Sequence, residues 1–213
     1  LRRVRRLPRQ VPAASSGIER PEIGARAAML LHVVEWLAGT SWSIALHESL
    51  YLYPLIESTH VLTLTVFVGL TVMLDLRLLG LAMKQVPASD VIARLVPWAK
   101  AGFVIMAITG LLLFYAIPVR TYQSIFFRAK VAMLIVAGLN VWLFHSRVER
   151  RVGDWDLTPS TPSAARAAAI VSLLLWAGIV VAGRMIAYNW FDCDIQPQPD
   201  FINWAAGCVV PPR

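Results

Sequence analysis

The stretch ESLYLYPLIESTHVLTLTVFVGLTVMLDLRLLGL, residues 48–81, decides the fold. From Val61 to Leu74 it has no charged residue, and the apolar run reaches well beyond that centre. A helix rises about 1.5 Å per residue, so about 20 such residues cross the hydrocarbon core of a bilayer. Tyr53-Pro54 opens the run, with Pro at a position a first helical turn tolerates. The spacing predicts a membrane-spanning helix from Pro54 to about Met83.

The rest of the chain repeats the pattern. Apolar runs at 98–117, 130–145 and 167–190 predict three more spans, separated by loops at 84–97, 118–129 and 147–166. The third run is short unless Phe126 and Phe127 belong to it. Residues 29–38 (MLLHVVEWLA) and 41–53 (SWSIALHESLYLY) are too short to cross alone. With Trp36, Trp42, Tyr51 and Tyr53, they read as amphipathic helices at the headgroup layer. The expected fold is all-α: an integral membrane four-helix bundle preceded by short interfacial helices. Its parts are a disordered basic extension at 1–28, the transmembrane domain at 29–190, and a tail at 191–213.

Composition agrees. The chain has 213 residues, 57% hydrophobic and 15% charged, against about 25% charged in soluble domains. The net charge of +7 does not point to nucleic acid, because the basic residues flank apolar runs. The first span starts from one side of the membrane, here the entry side, and the fourth returns to it. Lys84, Arg94, Lys100, Arg147, Arg150, Arg151 and Arg166 then fall on the far side, against Arg120, Arg128 and Lys130 on the entry side. The positive-inside rule puts the far side in the cytoplasm. Both termini are expected outside it, in the periplasm of a bacterial inner membrane. Cys193 and Cys208 lie in the tail on that outer side. They form a disulfide if the compartment is oxidising, and remain two free thiols otherwise.

Ionisable residues within spans are costly and therefore informative. At about 100° per residue, Glu57, His60, Thr71 and Asp75 share one face of the first span, and Arg77 points away to snorkel. A buried polar network of Glu57, Asp75, Arg77, His145 and Arg184 is expected. Within it, Glu57 pairs with Arg184 and Asp75 with His145. The plainest role for such contacts is fixing the bundle.

His60 is the sharpest functional candidate, since a membrane-helix imidazole can hold haem iron. His145 lies at the other depth, which leaves His47, or His32, as its partner. Haem b between His60 and His47 is the cofactor weighed against a hydrogen-bonded structural histidine. Glu57 and His60 form one E-x-x-H, where di-iron bundles need two. There is no P-loop and no zincin motif.

The 48–81 stretch also resembles a family of small, uncharacterised bacterial membrane proteins. The resemblance rests on Trp36-Leu37, Tyr53-Pro54 with Glu57 and His60, and the exit Asp75 to Gly80. It extends to FRAKVAMLIVAGLNVWLFH (127–145) and VAGRMIAY (181–188), covering about 29–190. It implies a four-helix membrane domain and no particular reaction. The functional expectation is a membrane redox or electron-transfer accessory. The alternatives are a non-enzymatic scaffold or partner subunit of a larger membrane complex, and a small-solute or metal-ion permease. The lipid bilayer and other membrane subunits are the expected partners.

Overall fold

The computed structural model describes residues 21–156, 161–188, 190–191, 193 and 195–208. Among these there is helix and no strand. In chain order the helices are α1 (Pro21–Ala38), α2 (Ser41–Glu48), α3 (Leu52–Leu78), α4 (Ala88–Ala116), α5 (Pro118–Tyr122), α6 (Ile125–Arg147), α7 (Val152–Trp155), α8 (Ser163–Tyr188) and α9 (Asp200–Ala206). Four of them, α3, α4, α6 and α8, are long and apolar enough to cross a membrane.

The ends of these helices follow from local chemistry. Ser49 accepts from the Leu52 N–H at 3.0 Å and opens α3. At its exit Gly80 takes a left-handed φ of 70°, and the Leu81 N–H returns to the Leu76 carbonyl at 2.9 Å. That glycine-closed turn ends α3 at Leu78, five residues before the expected Met83. Ser124 caps α6, accepting from the Phe127 N–H at 3.4 Å, so Phe126 and Phe127 do belong to the third span.

The second span departs most from expectation. It begins at Ala88, within the expected loop 84–97, and runs through Pro97. A proline removes one rung of the i→i−4 ladder, and helices in a bilayer tolerate this because neighbouring groups re-satisfy the backbone.

The N-terminal region also departs. Residues 1–20 of the expected extension lie outside the described residues, but 21–28 are helical as the first turns of α1. Met29–Ala38 and Ser41–Glu48 meet at 63°, and together they are apolar enough to count as a broken fifth span by length and composition. In the fold they lie at the entry end. α1 packs on α5, and α2 on α3 and α4. The Ser43 hydroxyl donates to the Tyr115 carbonyl at 2.7 Å, and Thr40 meets the Tyr115 hydroxyl at 2.8 Å.

α3 packs against α4 and α8, and α8 against α6. All four spans meet in one cluster of Phe67, Met106, Ala137, Trp176 and Ile179. The Phe67 and Trp176 rings stand edge to face at 4.7 Å. Gly102 lets α3 and α4 close up, since a β-carbon there would lie 3.4 Å from that of Phe67. A second cluster, including Leu78, Ala88, Trp155, Ala165 and Ala169, closes the far end. Outside these clusters the long helices expose Leu62, Leu111, Ile135, Trp142 and Leu174, each more than 60% accessible. An apolar wall of this extent is what a lipid-facing surface requires.

Candidate functional site

His60 sits two turns into α3, half-buried against α4. Its Nδ1 lies 2.9 Å from Thr109 Oγ1. The Thr109 hydroxyl has one proton and directs it to the Ile105 carbonyl, at 2.8 Å. This back-bond, common for a threonine within a helix, favours donation from His60 to Thr109. In that tautomer the ring proton sits on Nδ1 and Nε2 is the bare nitrogen. Gly110 makes room for the ring: a β-carbon there would stand 3.2 Å from His60 Cε1.

Lys130 completes this region, and its role was not visible in the sequence. It was read as a basic flank of the third span, yet it reaches across to α8. A β-carbon on Gly183 would lie 3.5 Å from Nζ.

His47 does not join His60. It is exposed at the end of α2, edge-on to the Tyr53 ring at 6.1 Å. Tyr53 precedes His60 by seven residues, about 10 Å of helix rise. Two axial imidazoles must meet at one iron, so a bis-histidine haem between His60 and His47 does not fit this arrangement. Among the described residues no group of three or more His, Cys, Asp or Glu gathers as a metal site.

The expected polar network divides. Asp75 is 4% exposed, with a hydrogen bond from the Ser172 hydroxyl of α8 and its Oδ2 without a partner. Arg77 is also buried, where it was expected to snorkel. Its Nε donates to the Val86 carbonyl at 2.7 Å and holds the loop after α3. The other three residues are at the surface and the two expected pairs are not formed. Glu57 is exposed. Arg184 stacks on Tyr188 of its own helix at 5.0 Å and donates to that hydroxyl at 3.2 Å. His145 bonds Glu149 at 2.8 Å with 58% of its side chain exposed. The rotation of each span about its axis decides these outcomes, and one helix's periodicity does not fix the rotation of another.

Two further polar devices lie at the bundle ends. At the far end Asp156 accepts from the N–H and hydroxyl of Ser89, capping α4 from a distant part of the chain. Burial raises its pKa, but the hydrogen bonds from Ser89 and Ala88 and the charge of Arg77 outweigh this and hold the carboxyl below its usual range. At the entry end Cys193 and Cys208 are joined in a disulfide with Cα atoms 5.2 Å apart. Arg128 of α6 donates to the Ala205 carbonyl at 2.8 Å and to the Tyr122 carbonyl at 3.1 Å, tying α9 to the bundle.

No curated protein and no solved structure matches the chain. One family model, described as a family of unknown function (DUF6644), matches residues 47–189, which takes in His60, Thr109, Lys130, Asp75 and all four spans. The chain belongs to that family of unknown function.

Proposed function

We propose that this chain is a redox or electron-transfer accessory of a bacterial inner membrane, working at His60. One observation carries the reading: His60 Nδ1 is anchored 2.9 Å from Thr109 Oγ1, between two spans, while Nε2 has no hydrogen-bond partner among the described residues. An imidazole anchored through one nitrogen is prepared to bind or take a proton through the other. The cytoplasm lies on the far side. Of the three entry-side basic residues, Arg128 and Lys130 turn into the protein, which sharpens the positive-inside asymmetry. The disulfide on the entry side fits an oxidising compartment.

A second reading, a partner subunit of a larger membrane complex, is favoured by how the polar groups are used. His60–Thr109 joins α3 to α4, Ser172–Asp75 joins α8 to α3, and the Asn140 amide donates to the Ala168 carbonyl at 2.9 Å, joining α6 to α8. These are contacts that fix a bundle.

Oxygen uptake by inverted membrane vesicles from cells with and without the chain separates the two. The redox reading expects lower respiration without it, restored by wild type and not by His60→Gln. Full restoration by His60→Gln would favour the partner subunit. A visible spectrum of the purified protein adds to this, because a Soret band lost in His60→Gln would place haem at His60.

A further inference from the structure

The exit of α3 and the start of α8 form a cleft at the far end of the bundle, about 420 Å³ in volume. Leu79 and Leu81 line it from the turn that Gly80 closes, and Ser163, Arg166, Ala167 and Ile170 from the first turns of α8. Buried contacts hold the two walls together, since Leu78 shares one packed cluster with Ala165 and Ala169. The polar side chains of the lining are Arg166 and Ser163, and no Asp or Glu lines it. Neither of the two has a hydrogen bond or ion pair among the described residues.

The cleft continues as a stripe along the outer face of α8. At about 100° per residue, Ser163, Ile170, Leu174, Ala177 and Val181 fall within about 60° of one another. They lie opposite the buried face of Ala165, Ala169 and Trp176. Every member of the stripe is exposed, and so is Arg166 beside its far-side end. From Ile170 to Val181 the stripe runs about 16 Å into the membrane, close to the depth of one leaflet. A cation at the membrane boundary, a hydroxyl beside it and an apolar track below suit an amphiphile with an anionic head.

We propose that this cleft binds an anionic phospholipid of the far-side leaflet, its phosphate diester on Arg166 and Ser163 and an acyl chain along Ile170, Leu174 and Val181. A guanidinium offers two parallel donors to phosphate oxygens, and a serine hydroxyl adds a third. Charge then selects among head groups. Phosphatidylglycerol brings one negative charge to one cation. Phosphatidylcholine also brings a quaternary ammonium, and the lining has no carboxylate or aromatic ring to receive it. The site is separate from His60 and does not depend on the redox reading.

The test follows thermal unfolding of the full chain in a non-ionic detergent as dioleoyl phosphatidylglycerol or dioleoyl phosphatidylcholine is added. A ligand of the native state raises the unfolding temperature in a concentration-dependent way. The expected result is a saturable rise with phosphatidylglycerol at about tenfold higher affinity than with phosphatidylcholine, as a charge-assisted contact implies. Arg166→Gln should remove that preference. Ala167→Phe fills the cleft without changing charge and should weaken both lipids. Arg147→Gln deletes an exposed charge at the same end of the bundle but outside the cleft, and should leave the preference intact. Equal affinity for the two lipids, or unchanged affinity in Ala167→Phe, would overturn the proposal. Equal losses in Arg166→Gln and Arg147→Gln would also overturn it, because they would mean diffuse attraction to anionic lipid. Glycerophosphoglycerol, the same head group without chains, should give no rise at concentrations where the lipid saturates. A rise equal to the lipid's would show an anion site that does not take the lipid. Should Arg166→Gln fail to fold, Ala167→Phe and the wild-type comparison of the two lipids still decide.

Discussion

Asp156 reaches back across the far end of the bundle to the first turn of α4, where the Ser89 N–H, at 3.1 Å, and the Ser89 hydroxyl both donate to its carboxylate. It does for α4 what a local Ser or Asp does at most helix starts, since Pro87 at the cap position offers no side-chain acceptor. Asp156→Ala should cost about 1 kcal/mol of stability, and Asp156→Asn less. The carboxyl is held below its usual range, so its contribution is fully present above the unfolded value, about 3.9, and is lost as pH falls through the folded one. Thermal melts of wild type and Asp156→Ala should therefore begin to approach one another below about pH 4 and converge only once the pH is below the depressed folded value. A gap that persists there would show that the cap is not carried by the charged form.

The Cys193–Cys208 bridge and Arg128 hold the same segment by different means. Intact mass without reduction should be two protons below the dithiol value. Replacing both cysteines with Ser should cost about 3 kcal/mol in the chain-entropy picture. Arg128→Gln removes a charged donor from the Ala205 carbonyl and should cost about 1.5–3 kcal/mol. Hydrogen exchange at Ala205 to Cys208 reports both, and unchanged protection in Arg128→Gln would count against the clamp.

Much of the fold was legible because a membrane span is written in composition. Four long apolar runs with few charges predict four helices whatever their neighbours do. The ends were less legible. Pro97 reads as a breaker and Arg94 as a loop residue, yet Asp156, remote in sequence, caps a start at Ala88. The seven-residue α9 carries too little periodicity to find. Of the site, His60 was legible from its rarity within a span. Lys130 was not, because a lysine in the first turns of a span looks like a topological marker until tertiary packing shows which way it reaches.

The division between exposed and buried carboxylates gives a direct contrast. Glu57 and Asp75 share a helix face on paper, but Glu57 is exposed and Asp75 is 4% exposed beneath Ser172. Asp75→Ala strands the Ser172 hydroxyl and should destabilise the bundle by about 1–3 kcal/mol. Glu57→Gln should change stability by about 0.5 kcal/mol or less. Unfolding in mixed detergent measures both, and the reverse order would mean that α3 is rotated about its axis.

Orientation is checked with reporters fused at Gly153 and at the C-terminus. Gly153 is exposed at the far end of the bundle. The expected result is a cytoplasmic signal at Gly153 and a periplasmic one at the C-terminus. The opposite pair would reverse the assignment. A fifth span formed by α1 and α2 would change only the side on which the chain begins.

The account turns on which nitrogen of His60 carries the proton. Nitrogen-15 NMR of the full chain, labelled at its four histidines and held in nanodiscs, measures this directly. Protonated and bare imidazole nitrogens differ widely in chemical shift, and the His60 signals are identified by their loss in His60→Gln. The predicted result is a neutral ring with the proton on Nδ1 and a bare Nε2, moved by Thr109→Val. A proton on Nε2, with Nδ1 bare and accepting from Thr109, would contradict it, and the fixed acceptor on which the functional reading depends would not exist.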